Sequence, residues 1–458
     1  METETPGCRW STRSAGGSAS HHTSMANSET EVPGHRGRRG SKRSSSSSGK
    51  GSPSSLPTWL ILNRVGARRD DFRGDRTTSA ISHTSSGEEL AVSFHLAEPP
   101  GTSVLTLDWP QGPAPIEPKV VAADKNLVLF EIQLVPAADL LDYFVYEASG
   151  DGDPSQRSSL SPLPVFFSKR DSLEGRPMQH LFFMESTGIL SLGKGSFVVA
   201  ELDQRDREEQ PSSKVDIYLF VSGSDKWKVL KRHRVRCGNG DFLELSRCRR
   251  WSTDRVLPFR RRFMVWVDYY RGMIFMDMEH PWSIHGHGAS MQLEGSLMTG
   301  TYNNMCATSS GIRFVTVNHQ PWSTAFSITT WSLCDDDYTW REEATLDAGE
   351  LWALDPENRL PDVLPEFPAV NMENPDAICF SLNDISHPFD YGCKIWMVEV
   401  DMKKKVLLAV TAYSKEQSLP GDGDTIKSAR IRSQGYSFIS SELPRYLYGG
   451  EGYKKRRQ

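Results

Sequence analysis

Phe197-Val198-Val199-Ala200, Ile217-Tyr218-Leu219 and Trp227-Lys228-Val229-Leu230 are three short apolar segments in a row, and Arg313-Phe314-Val315-Thr316, Thr330-Trp331-Ser332-Leu333 and Trp340-Arg341-Glu342 repeat them. In both runs an aromatic of the middle segment, Tyr218 or Trp331, stands nine positions before the Trp that opens the next segment, Trp227 or Trp340. A third run passes through Ile378-Cys379-Phe380-Ser381 and Ile395-Trp396-Met397-Val398, turns at Met402-Lys403 and returns through Val406-Leu407-Leu408. Segments this short, rich in β-branched and aromatic residues, read as β-strands. A repeated unit of such strands is a small antiparallel sheet that cannot cover its own apolar faces, and stacking neighbours around an axis covers them. The expected fold is therefore all-β and β-propeller-like, with about six blades of short antiparallel sheets; a pair of packed β-sheets is the alternative. Each middle-strand aromatic and the Trp that follows it are expected to meet as a cross-strand pair, worth about 0.2–1 kcal/mol.

Outward from these units the same period continues. In Leu90-Ala91-Val92-Ser93-Phe94-His95-Leu96 the large apolar residues fall on every second position, and Val215 to Val221 and Val128 to Leu134 alternate likewise. Further strands are predicted at Ser196 to Leu202, Phe263 to Asp268, Met273 to Met278, Ile312 to Val317, Phe326 to Leu333, Ala377 to Leu382, Lys394 to Val400 and Val406 to Thr411. Two-turn helices are expected only at Ala137 to Leu141 and Asp347 to Leu354. In a closed ring the strand near Trp59 to Leu62 should pair with the C-terminal end of the domain, because closure removes exposed sheet edges.

The 458 residues divide into a 1–55 tail, a 56–448 domain and a 449–458 tail. The first is rich in Ser, Gly and Arg, with an unbroken serine run from Ser44 to Ser48, and is expected to be disordered because it has too little apolar surface to bury. Residues 1–55 and the last six residues are basic, and the 41 basic and 54 acidic residues between them leave the body at a net charge of −13. Such a body is a poor non-specific nucleic-acid binder, so no direct nucleic-acid partner is expected. The seven cysteines are scattered and form no CxxC pair, which argues against a disulfide framework or a zinc site. With no glycosylation sequon, no bilayer-length apolar run and no apolar leader, the chain is expected to be soluble and intracellular, in cytoplasm and/or nucleus. Glu2, Glu4, Glu29 and Glu31 argue against an organellar transit peptide.

Leu56-Pro57-Thr58-Trp59-Leu60-Ile61-Leu62, the Leu90 to Gly101 stretch, Phe197-Val198-Val199-Ala200-Glu201-Leu202 and above all Val265-Trp266-Val267-Asp268-Tyr269-Tyr270-Arg271-Gly272-Met273-Ile274 resemble the plant family called domain of unknown function 1618. The resemblance spans roughly residues 56 to 448. It implies a β-rich, propeller-like protein without an assigned activity, and it supplies no catalytic residues. The strand-turn-Trp units are also similar to propellers attached to F-box proteins, but the polar stretch before them lacks the apolar helices of an F-box.

Candidate sites are few. His280, His285 and His287 are the densest set of metal-type ligands, yet no acidic or thiol ligand adjoins them and the stretch reads as a loop between blades. Asp335-Asp336-Asp337 lacks the interleaved spacing of a calcium loop and reads as a solvated turn. Gly193-Lys194-Gly195 and Gly49-Lys50-Gly51-Ser52 hint at anion cradles, but a turn and a linker suffice for them. Arg260-Arg261-Arg262 reads as a solvated loop, and Arg271-Gly272 as a tight hairpin turn needing positive φ. Lys454, Lys455, Arg456 and Arg457 have the composition of a nuclear localisation signal, and Arg38, Arg39, Lys42 and Arg43 form a second, looser cluster.

No catalytic, metal or cofactor site is expected. The leading functional reading is a monomeric, non-catalytic scaffold for an unknown protein partner. The runner-up is a propeller enzyme or small-ligand binder with its site in the axial channel, and the third reading is a substrate-recruiting adaptor for a ubiquitin ligase. Ionisable groups converging in a concave axial pocket favour the second, and an exposed apolar patch favours the first.

Overall fold

The computed structural model describes residues 57–447 apart from 70–77, 114–115, 136–139, 150–156, 174–175, 205–213, 238–250, 281–283, 288–298, 321–322, 336–337, 385–393, 414–423, 425, 427 and 430–436. The first sheet contains β1 (Leu60–Leu62), β2 (Ala67–Arg68), β3 (Ala80–His83), β4 (Glu89–His95) and β5 (Thr102–Asp108). The second contains β6 (Lys119–Asp124), β7 (Leu127–Gln133), β8 (Leu141–Glu147) and β9 (Ser159–Pro162). A separate hairpin, β10 (Phe167–Leu173) and β11 (Arg176–Gln179), leads into the third sheet of β12 (Thr187–Gly193), β13 (Ser196–Asp203), β14 (Lys214–Val221) and β15 (Lys228–Arg234). The fourth is built from β16 (Arg236–Cys237), β17 (Arg255–Phe259), β18 (Phe263–Asp268), β19 (Gly272–Asp277) and β20 (Ile284–His287). After the one-turn helix α1 (Thr299–Tyr302) comes the fifth, with β21 (Asn303–Thr308), β22 (Gly311–His319), β23 (Phe326–Leu333) and β24 (Trp340–Asp347). Helix α2 (Ala348–Ala353) precedes the sixth, β25 (Pro365–Val370), β26 (Ala377–Asp384), β27 (Lys394–Asp401) and β28 (Val406–Tyr413). The last elements are β29 (Ile439–Ser441) and α3 (Pro444–Leu447).

This is a six-bladed propeller. The end of the domain closes it: β29 pairs antiparallel with β1, Leu60 opposite Ser441, and lies innermost in the first blade, as the sequence predicts for the Trp59 to Leu62 strand. The innermost strands of the six blades, β29, β6, β12, β17, β21 and β25, contact one another in turn around the axis.

The strands are buried on both faces because successive side chains serve different neighbours. Along β7, Val128, Phe130 and Ile132 pack into the core shared with the first blade, while Leu127 and Leu129 enter the one shared with the third. Along β18, Met264 and Trp266 face the third blade, and Val265 and Val267 face the fifth. Each such burial contributes about 1.5–3 kcal/mol, so the blades are held by the period-two pattern itself. Trp266 adds a hydrogen bond across the seam, donating Nε1–H to the Ser186 carbonyl at 2.8 Å.

The expected aromatic–Trp pairs do not form. Register places Tyr218 opposite Val229 and, past a bulge between Thr330 and Trp331, Trp331 opposite Glu342. Trp227 instead stacks on Phe182 with ring centroids 4.5 Å apart, and Trp340 packs beside Phe314 at 6.0 Å. The tryptophans therefore meet rings other than the expected ones. The helix expected at Asp347 to Leu354 is α2, opened by a capping box in which the Glu350 N–H donates to Asp347 Oδ1 at 2.8 Å and the Asp347 N–H to Glu350 Oε2 at 3.2 Å. The other expected helix fails at its end, where Leu141 starts strand β8 and the alternating Tyr143, Phe144 and Val145 bury on both faces; 137–139 lie outside the described residues.

Candidate functional site

The inner strands enclose an axial cavity of about 380 Å³, and every blade contributes to its wall. Arg64, which follows β1, and Arg255, which opens β17, line it and are each less than a tenth exposed. Arg64 donates to the carbonyls of Val121 at 2.6 Å, Val120 at 3.2 Å and Ser437 at 3.1 Å, and Arg255 to that of Phe438 at 3.2 Å. Both therefore brace the segment entering β29. Burial, reinforced by the charge of Arg255, pulls the Arg64 guanidinium down to about 10. Thr187 belongs to the same wall, and its buried hydroxyl has no hydrogen-bond partner among the described residues. An unpaired buried hydroxyl costs about 1–3 kcal/mol, which is the kind of strain a ligand relieves.

Toward the ends of the inner strands the cavity meets more charge. Asp124 closes β6, accepts the Ser191 N–H at 2.7 Å, and is pushed up to about 6 by burial. Lys125 pairs with Glu442 at 2.9 Å, and Glu442 is also held by Arg445. Arg260 and Arg261 come from the turn after β17. Cys306 of β21 faces the cavity too, but burial raises its thiol to about 11 and its sulfur lies 3.4 Å from Met372 Sδ, so it is no ready nucleophile. Beside the inner strand of the third blade a fully buried pair joins the segment after β11 to β13, His180 Nε2 to Glu201 Oε2 at 2.6 Å, with Glu201 also accepting the Phe183 N–H at 2.8 Å. A second cavity of about 550 Å³ adjoins the first between the second and third blades and shares Lys125 and Arg261 with it.

Residues 266–379, from β18 to β26, match the family model described as protein of unknown function (DUF1618). Over these residues, a quarter of its length, the chain is similar to the DUF1618 family. No curated protein matches it. Among solved structures it is similar to Sqt1 of Saccharomyces cerevisiae at 13% identity and a TM-score of 0.29, over 64% of this chain and 62% of that one, so it spans less than two thirds of Sqt1. It is also similar to the α-L-arabinofuranosidase Arb93A of Fusarium graminearum, at 12% identity and a TM-score of 0.28 over 70% and 92% of the two chains. The WD40 domain of SCAP from fission yeast matches at 8% identity and a TM-score of 0.26, over 79% and 91%. Likenesses of this size carry no argument about activity.

Several residues singled out from the sequence lie within the DUF1618 segment. Arg271-Gly272 is the hairpin turn between β18 and β19, with Gly272 at φ 125° and the Arg271 guanidinium 3.8 Å from Asp268. His285 and His287 belong to strand β20 and not to a loop between blades, because Ile284 to His287 pairs antiparallel with β19. His280 sits apart from them with Asp277 and Glu279, their ligand atoms all within 4.8 Å of one another. That trio already has its cation: Arg262 reaches Asp277 at 3.0 and 2.5 Å and Glu279 at 3.3 Å, and holds the Asp277 carboxyl down at about 2. Asp335 pairs with Arg260 at 2.5 Å; Asp336 and Asp337 lie outside the described residues.

Outside the DUF1618 segment, Gly193-Lys194-Gly195 forms the turn from β12 to β13 and lines the second cavity. Gly49 to Ser52, Arg38 to Arg43 and the Lys454, Lys455, Arg456, Arg457 cluster lie outside the described residues. Sequence reasoning missed Arg64, Arg255 and Thr187. Arg64 follows β1, Thr187 opens β12 and Arg255 opens β17, and only ring closure brings them together. No helix among the described residues is long and apolar enough to cross a membrane.

Proposed function

We propose that this protein is a binding propeller that takes a small anionic molecule into its axial channel. One observation carries the reading: Arg64 and Arg255, both nearly buried, and Thr187, whose buried hydroxyl has no hydrogen-bond partner among the described residues, line one cavity fed by all six blades. A cationic, low-dielectric cleft in a body of net negative charge focuses the field on an incoming anion. Binding is favoured over catalysis because Cys306 is held as a thiol and Asp124 spends one oxygen on a backbone N–H. The experiment is a thermal-shift panel of small mono- and dicarboxylates and inorganic phosphate on the wild type and on Thr187→Val. The isostere removes the orphaned hydroxyl and should raise the unliganded melting temperature. At least one anion should stabilise the wild type and stabilise the variant less. No response to any anion, or an identical response in both proteins, would falsify the reading.

A second reading, a scaffold for a protein partner, is favoured by the hairpin β10–β11 and its surroundings. Val135, Leu140, Val165, Phe167, Met178 and Phe183, half of the exposed large apolar side chains among the described residues, come from this hairpin and the chain beside it. Affinity purification with Phe167→Ser and Phe183→Ser tests it, since a genuine partner of this surface is lost from the variants. A ubiquitin-ligase adaptor and nuclear entry through Lys454 to Arg457 remain proposals resting on sequence alone.

A further inference from the structure

The commonest occupants of a left-handed turn position are Gly, Asn and Asp, because any other side chain costs about 1–2 kcal/mol there. In three adjacent blades the first hairpin spends that position on a long cation. Lys125 (φ 55°) follows β6, Lys194 (φ 54°) follows β12, and Arg260 (φ 54°) and Arg261 (φ 53°) follow β17. The fifth blade makes the same turn with Ser309, Ser310 and Gly311, so the fold does not require the charges.

Packing does not require them either. Lys194 and Arg261 are exposed, and neither has an ion pair among the described residues. Arg261 reaches across the seam to the next blade, where a Cβ placed on Gly193 would fall 2.0 Å from its Nη2. Gly193 therefore serves twice, taking φ 89° in the turn and leaving room for the guanidinium. Arg157, exposed and also without an ion pair among the described residues, completes the rim of the 550 Å³ cavity. Opposite charge in that wall comes from Glu147, which accepts a hydrogen bond from Asn126 at 3.1 Å.

We propose that the cavity between the second and third blades binds a small molecule carrying two or more linked phosphates, gripped by Arg157, Lys194 and Arg261 with Lys125 at its edge. Guanidinium forks match phosphate oxygens two at a time, and a lysine adds a point charge. With Lys125 already paired to Glu442, the three remaining cations against Glu147 still leave an excess of positive charge, and a di- or triphosphate supplies several negative charges within one small volume. The site is distinct from the deep Arg64–Arg255–Thr187 wall, although the two cavities share Lys125 and Arg261.

Calorimetric titration of the full chain with inorganic phosphate, pyrophosphate and tripolyphosphate at fixed ionic strength tests the proposal. Affinity should rise along that series and fall with added salt. The double variant Lys194→Asn, Arg157→Gln should lose at least tenfold in tripolyphosphate affinity without lowering the melting temperature, since Asn suits the left-handed turn. Thr187→Val should bind tripolyphosphate as the wild type does. Absence of binding to the wild type, or unchanged affinity in the double variant, overturns the proposal. Loss in Thr187→Val but not in the double variant also overturns it, and leaves the axial reading standing.

Discussion

Two clusters of cations in this propeller are used in opposite ways. Between the fifth and sixth blades, Glu343 of β24 accepts from Ser332 at 2.6 Å and pairs with Arg341 at 3.0 Å, Arg313 at 3.5 Å and Lys403 at 3.1 Å, and Lys403 also reaches Asp376 at 3.0 Å. Lys403 stands in the turn between β27 and β28, so this cluster fastens one blade to the next. Around the second, third and fourth blades, Arg157, Lys194 and Arg261 surround open space and have no ion pair among the described residues. Cations that hold a fold together are matched by carboxylates within it. Cations left over in strained turns beside a cavity are placed for something that arrives.

The contrast breaks first at Glu343. Burial works against its charge, but the hydrogen bonds from Ser332, Lys403 and Arg341 outweigh it and hold the carboxyl down at about 2. A depressed carboxyl contributes stability that is present above its unfolded pKa and is lost as pH falls through the folded one. Glu343→Gln should therefore cost about 2–3 kcal/mol in denaturant unfolding at pH 7 and almost nothing near pH 2. An unchanged midpoint at pH 7 would mean the cluster does not fasten the blades.

Asp124 gives a smaller effect of opposite sign. Its folded pKa of about 6 lies above the unfolded value, so the folded state holds the proton more tightly and stability falls as pH rises from about 4 to about 6. Asp124→Asn keeps an acceptor for the Ser191 N–H and should be more stable than the wild type by up to about 2 kcal/mol at pH 7, with the gap closing by pH 4. Equal pH profiles for the two proteins would place the Asp124 carboxylate in water, where the basic mouth would gain no help from burial.

Much of the propeller was legible because period-two runs such as Val215 to Val221 and Phe326 to Leu333 encode strands locally, and because a ring must join its ends. Partner choice for the tryptophans was not, since it depends on register and a bulge that no single strand reveals. The axial site was illegible for a geometric reason: Arg64, Thr187 and Arg255 lie at the ends of strands far apart in sequence, and no local spacing links them. The basic turns were visible at Gly193-Lys194-Gly195 and Arg260-Arg261-Arg262, but one turn at a time they read as solvated loops. Their common signal is a long cation where a turn favours Gly or Asn, repeated in neighbouring blades.

The account stands on the claim that those turn cations answer to a ligand and not to the fold. Thermal unfolding of the ligand-free triple variant Lys194→Asn, Arg260→Asn, Arg261→Gly measures this directly, because each replacement suits a left-handed turn and the interactions given up are weak exposed ones, the Arg260–Asp335 pair and the Arg260 guanidinium over the Phe259 ring, with the attraction of Arg261 for Asp124. A melting temperature equal to the wild type or higher by roughly 1–3 °C is predicted. A fall of several degrees would show that the charges hold the propeller together, contrary to the account.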